Sequence, residues 1–169
     1  PAVEPDRDFE RFPGSGGPLD RTLLDPREIS AAAGLRVAAL EDYFRFNAEL
    51  PAVDCELVIM AMAREMGARY PWARHEARGR EVGTRTEAIE AVRANGTLEQ
   101  LTPRERLLVE IVRTLLRTRA LPDELYARGL AELGRQQLIE IVGLVGHYSL
   151  IGLTVNAFDV APPDDRPTF

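Results

Sequence analysis

His75 and Glu56 are the residues of this chain whose types best suit proton transfer. Histidine changes charge near neutral pH without help from its surroundings. Within a segment restarted by Pro71, Trp72, His75, Glu76 and Gly79 fall on one helical face, and Gly79 leaves room there for a close neighbour. Glu56 stands at the head of an otherwise apolar run, where a carboxylate can orient or relay. Each has a plainer reading. An isolated histidine can simply satisfy a backbone carbonyl. A first-turn glutamate complements the helix dipole, worth about 0.3–1 kcal/mol. His147 is the second histidine. It shares an apolar face with Glu140, Leu144 and Ile151, so it is either a pocket group or half of a buried polar pair. Cys55 sits beside an acid with no second cysteine to resolve it, which disfavours a thiolate. A small core residue is the better account of it.

The elements that must carry these groups are helical. Residues 1–24 are rich in Pro, Gly and Asp and read as an extended arm; residues 25–169 read as one all-helical domain. Asp25-Pro26-Arg27-Glu28 has the form of a helix start, with Gly34 as its stop. A second helix is expected from Leu35 to Leu50, stopped by Pro51. Asp54 is placed to cap a helix over Cys55 to Met66. A break from Gly67 to Pro71 leads into a helix ending near Arg80. Thr84 to Glu87 and Thr102 to Glu105 both have capping-box spacing, the second leading a long amphipathic helix. Pro122 and Gly134 bracket the next helix, and the last is expected over Arg135 to Phe158. No sustained period-two run suggests a strand.

From Glu56, the order acid, apolar helix, Gly-to-Pro break and His75 resembles the helical family of alkylhydroperoxidase D proteins and carboxymuconolactone decarboxylases. In the redox branch, a Cys-x-x-Cys pair lies between the Glu and the His. Counted from Glu56, those cysteine positions fall on Ala68 and Pro71. The run from Val82 to Ile89, and Leu138 to Tyr148 followed by Asn156-Ala157-Phe158, resemble later segments of the same family. The likeness spans about Leu50 to Pro162. It implies a compact helical bundle, subunit packing, and Glu56 and His75 approaching as a proton-relay pair. With both sulfurs missing, it points to the decarboxylase-like branch. The implied reaction is cofactor-free decarboxylation, or related proton transfer, on a small carboxylated lactone or similar acid. His75 is the implied donor, with Glu56 setting its tautomer and charge. Trp72 and Tyr70 are candidates for a pocket wall. Arg64, Arg69 and Arg74 are candidates to hold a carboxylate, and His147 is a further candidate to touch substrate. Residues 1–49 are extra relative to the shortest decarboxylases and have the power to reshape the pocket.

Composition narrows the alternatives. The net charge is −6 with scattered arginines, so no basic face for nucleic acid is expected. One cysteine excludes an internal disulfide, which favours the cytoplasm, and the acidic, proline-rich first residues do not resemble a secretory leader. The most apolar stretch, Leu138 to Phe158, carries Glu140, His147 and Asn156 and reads as a core helix of a soluble bundle, not a bilayer span. No metal-ligand spacing, phosphate loop or dinucleotide fingerprint is present, so neither metal nor cofactor is expected. Apolar stripes on more than one side of the long helices suggest a homo-oligomer: a trimer, hexamer or dimer. Two rivals stand beside the decarboxylase: a thiol peroxidase, which lacks its cysteine pair, and a non-catalytic helical assembly module.

Overall fold

The computed structural model describes residues 31–163 and 166–169. The arm expected over residues 1–24 and the helix start at Asp25-Pro26 lie outside them. Six helices follow in order: α1 Ala31–Phe46, α2 Ala52–Glu65, α3 Arg69–Val82, α4 Thr86–Ala94, α5 Pro103–Thr118 and α6 Asp123–Ala157. Among the described residues there is no β-strand. The all-helical expectation therefore holds.

α2 is the central post. Every residue from Asp54 to Ala63 is buried, and α3, α4, α5 and α6 all pack against it. A helix apolar on all sides has to be enclosed by others. α5 shows the opposite pattern. Leu107, Leu108, Val109, Ile111 and Val112 are buried on one stripe and charged residues face outward. The capping box expected at Thr102 is present, with Thr102 accepting from the Glu105 amide and the Glu105 carboxylate accepting from the Thr102 amide. α6 is long and apolar enough to cross a bilayer, but half of its most apolar window is buried inside the protein. It is also not straight. Gly134 takes φ 77° and ψ 168°, breaking the helix where glycine was expected to end it.

Several boundaries differ from expectation, each for a local reason. α1 runs through Gly34 without stopping. It ends at Phe46, short of Leu50, because the amides of Glu49 and Leu50 donate to the Glu140 carboxylate at 3.1 and 2.9 Å. Asp54 is not a cap. Pro51 holds that position, and Asp54 lies buried in the first turn accepting from Arg104 Nε at 2.8 Å, which ties α2 to α5. Thr84 forms no capping box. Its amide closes the end of α3 on the Gly79 carbonyl, and Arg85 is the residue before α4.

The turn from α2 to α3 positions the candidate site. Gly67 has φ 65°, a left-handed conformation, and the Ala68 amide reaches back to the Ala63 carbonyl at 2.8 Å. The chain then reverses, and α3 lies back along α2. A Cβ on Gly79 would stand 3.0 Å from the Met60 side chain and 3.6 Å from the Glu56 Cβ. The space at Gly79 therefore lets α3 approach α2 at the level of Glu56.

Candidate active site

Glu56 projects from the first half of α2 and is 4% exposed. A carboxylate at that depth is costly unless it is paired. Two residues of α3 pair it. His75 Nδ1 lies 2.7 Å from one oxygen, Oε2, and Arg78 Nε forms an ion pair with the other, Oε1, at 2.8 Å. A carboxylate only accepts, so the short contact assigns a proton to Nδ1 and leaves Nε2 as the ring nitrogen that Glu56 does not hold. Tyr148 of α6 meets the His75 ring edge-on at 4.9 Å between centroids, fixing its plane from a third helix.

Beside this cluster opens a small cleft. Phe44, Leu144 and Tyr148 form its apolar wall, and Arg45, Glu56 and Arg78 supply its charge. Its enclosed part is about 20 Å³, room for about one water. The side chains of Arg45 and Arg78 are 39% and 30% exposed, so they stand at the mouth. α1 contributes Phe44 and Arg45 to the cleft, from within residues 1–49. Burial, helped by Glu41 and Glu56, keeps the Tyr148 phenol well above its ordinary pKa, and Arg45 and Arg78 act in the other direction. Tyr148 is thus a protonated hydroxyl at any physiological pH.

Cys55 lines the same cleft. Burial and then the neighbouring acids Glu56 and Asp54 push its thiol up to about 12. Its sulfur faces the carbonyls of Leu50 and Phe44 at 3.6 and 3.9 Å, as a weak donor would. The positions where a redox pair would stand hold Ala68, buried before α3, and Pro71, also buried.

The remaining sequence candidates are distributed elsewhere. The face shared by Trp72, His75, Glu76 and Gly79 is divided between two destinations. His75 and Gly79 turn toward Glu56, whereas Trp72 donates its indole N–H to Glu76 at 2.9 Å and stacks edge-on with Phe169. Trp72 is therefore core and not a cleft wall. Tyr70 is buried and accepts from Arg74, and neither lines the cleft. Arg64 donates to the Arg93 carbonyl at 2.8 Å and lies over the Phe169 ring. Arg69 is exposed at the start of α3. None of the three arginines proposed from sequence reaches the cleft; Arg78 and Arg45 do. Arg78 had a readable signal, since it lies one turn beyond His75 on the same face. Arg45 had none, because only packing brings α1 to this place.

His147 and Glu140 do not pair. Glu140 accepts from Tyr43 Oη, Gln136 Nε2 and the amides of Glu49 and Leu50. Burial alone would raise its pKa, but these four donors outweigh it and the net shift is downward. His147 is buried behind Tyr148, 5.1 Å ring to ring, with Phe44 at 5.9 Å. Its Nε2 has no partner among the described residues, and burial lowers its pKa, with Glu41 opposing. Among the described residues, no three His, Cys, Asp or Glu side chains are grouped to hold a metal ion.

The path of the backbone matches a known architecture. A crystal structure of a protein of unknown function from Agrobacterium tumefaciens, described as a candidate antioxidant defence protein AhpD, superposes with a TM-score of 0.70 over 84% of this chain and 98% of that one. The fold is AhpD-like. At 20% identity the likeness concerns the fold alone. No protein-family model matches the sequence, and no curated protein does.

Proposed function

We propose that the protein is a cofactor-free decarboxylase, or catalyses closely related proton transfer, on a small carboxylated lactone or similar acid. The observation that carries this reading is the 2.7 Å contact between His75 Nδ1 and the buried Glu56 carboxylate at the edge of an apolar cleft. In the proposed step, the bond from the ring carbon to the carboxylate breaks. Carbon dioxide leaves, and the electron pair enters the ring as a dienolate with its charge on the lactone carbonyl. His75, carrying protons on both ring nitrogens at the start of the step, then delivers the Nε2 proton to carbon, is left as the neutral Nδ1–H tautomer, and takes a proton back from solvent. Glu56 keeps the Nδ1 proton and the ring plane fixed, so that Nε2 is the nitrogen that gives up and regains a proton. The cleft's apolar wall suits a step that spreads charge, since a localised carboxylate is the form that loses most by leaving water.

The rival is the antioxidant activity in the description of the Agrobacterium protein. It needs a thiolate. Here the pair positions are Ala68 and Pro71, and Cys55 is held as a neutral thiol. One experiment addresses both readings. Purified protein is offered a panel of unsaturated lactone carboxylates with carbon dioxide release measured, and separately an alkyl hydroperoxide with a dithiol reductant. Turnover in the first assay that is lost in His75→Gln supports the proposal. Hydroperoxide consumption that depends on Cys55, with no carbon dioxide release, would sink it.

The proposal includes self-association. Ile139, Val142, Leu150 and Leu153 are exposed along one row of α6, and Leu40 and Phe46 are exposed on the neighbouring α1. Such a contiguous apolar row is unusual on a monomer surface, and a second copy of the chain would cover it. Light scattering at micromolar concentration is expected to give a dimer, trimer or hexamer, and a monodisperse monomer would remove this part.

A further inference from the structure

We propose that Arg78, with Arg45 across the mouth, is the element of the cleft that grips a carboxylate. The inference rests on the decarboxylase reading for the identity of the acid, but its geometry stands separately. Arg78 meets Glu56 through its Nε edge, in an ion pair at 2.8 Å. The two Nη groups of its guanidinium have no partner among the described residues, and the side chain is 30% exposed at the cleft. A planar guanidinium bound through Nε still presents donors to a second acceptor in its own plane. Other arginines nearby are more fully committed. Arg80 and Arg93 each bond both Glu76 and Glu90, and Arg93 also bonds the Thr168 carbonyl. Arg45 faces the same opening from α1, with its nearest acidic contact, Glu41, at a loose 3.8 Å. Two cationic forks therefore converge on a mouth whose inner wall is apolar. With room for only about one water in its enclosed part, the cleft suits a small acid held at the mouth with its ring resting over the apolar wall.

The same arrangement explains how substrate finds the proton donor. His75 and Arg78 occupy the two oxygens of one carboxylate and lie one turn apart on α3. An acid held on the free edge of Arg78 is thereby delivered beside the His75 ring. A strong ion pair binds a group equally before and during reaction when that group's charge persists. The gripped anion is therefore one that survives the step, so a substrate of the decarboxylation carries a second carboxylate, the departing one, which faces the apolar wall.

Isothermal titration calorimetry on the intact protein tests this, using a γ-butyrolactone carboxylate and its neutral methyl ester as probes. The carboxylate is expected to bind at least about tenfold more tightly than the ester. Arg78→Lys keeps the charge beside Glu56 but loses the fork, and is expected to weaken carboxylate binding about tenfold while leaving the ester unchanged. Arg45→Gln, on the surface, is expected to act in the same direction more weakly. Arg74→Gln, away from the cleft, serves as the control. If Arg78→Lys does not fold, Arg45→Gln carries the test alone. Equal binding of acid and ester, no binding of the acid, or wild-type affinity in the folded variants overturns the assignment. Arg78-dependent selectivity for the acid without any carbon dioxide release keeps the grip and discards the decarboxylase. Carbon dioxide release undiminished in Arg78→Lys and Arg45→Gln does the reverse.

Discussion

Two buried glutamates, Glu56 of α2 and Glu76 of α3, have surroundings that differ in one decisive respect. Glu56 and Glu76 are 4% and 2% exposed, and each meets side chains from α3. Glu76 is filled. It accepts from Trp72 Nε1 and from Arg80 and Arg93, and Phe169 stacks edge-on against Trp72. Burial alone would raise its pKa, but the guanidinium hydrogen bonds dominate and hold it below the usual value. Glu56 is not filled in this way. One of its partners is an imidazole and the other an arginine with an unused edge, which lines a cleft together with Glu56. Burying a carboxylate among cations therefore does not make a site. A site needs a partner that can exchange a proton and a donor left over for a ligand.

The comparison can be broken most directly at Glu56. Glu56→Gln and His75→Gln are each expected to lower turnover by about 10²–10⁴-fold while the folded protein keeps its circular dichroism and unfolding midpoint. The double variant should lose much less than the product of the two single losses, as members of one catalytic unit do. Multiplicative losses in steady-state kinetics would show that the two residues act independently.

Glu76 should show the converse. Glu76→Ala leaves Arg93 and the Trp72 indole without their acceptor and is expected to destabilise the fold by about 2–4 kcal/mol, toward the lower end because Arg80 and Arg93 keep some access to water. Turnover per folded molecule should be retained. Urea unfolding with parallel activity measurements would separate these quantities, and a large activity loss at full stability would erase the contrast.

A smaller effect concerns His147, the buried imidazole that neither cluster uses. Its folded pKa is lowered, so the unfolded chain takes up a proton first as pH falls. Above about pH 6.5, both states are neutral and the residue contributes no pH dependence. Below that, the native state loses stability until pH reaches the depressed folded value, after which the contribution is level. His147→Leu should flatten this part of the urea midpoint profile just below neutrality. An unchanged profile would mean that the imidazole is already partnered.

The smallest change is expected at Cys55, which touches the cleft but is held neutral at about 12. Cys55→Ala should cost less than about tenfold in turnover, or ~1.4 kcal/mol of barrier, and a maleimide should label the native thiol slowly at neutral pH. A greater loss in the folded variant would return the cysteine to the chemistry.

Local physics made much of the architecture readable. Pro51, Gly67, Pro122 and Gly134 punctuate the chain where their backbone preferences say they should. The Thr102 box is complete within four residues, so no distant contact was needed to see it. Thr84 has similar spacing and fails, because its amide and hydroxyl are claimed by Gly79 and Val53 from the packed neighbourhood. The end of α1 was misplaced for the same kind of reason, since the carboxylate that stops it lies 90 residues further on.

The candidate site divides along the same line. The order of Glu56, a glycine break and His75 is a property of the sequence, and the 2.7 Å contact follows once the chain reverses at Gly67. Which arginine joins them was legible only as the one-turn spacing of Arg78 from His75, which does not by itself say that the shared face meets Glu56. Arg64, Arg69, Arg74 and Arg78 are equivalent in composition, and only the rotation of α3 against α2, permitted by the bare Gly79, selects Arg78. The departure of Trp72 toward Phe169, the four donors around Glu140 and the arrival of Arg45 from α1 likewise depend on helices distant in sequence. The sequence by itself determined helix periods, breaks and the acid–histidine order, because these rest on neighbouring residues. The tertiary structure decided what faces what, because a side chain's partner is set by where another helix comes to rest.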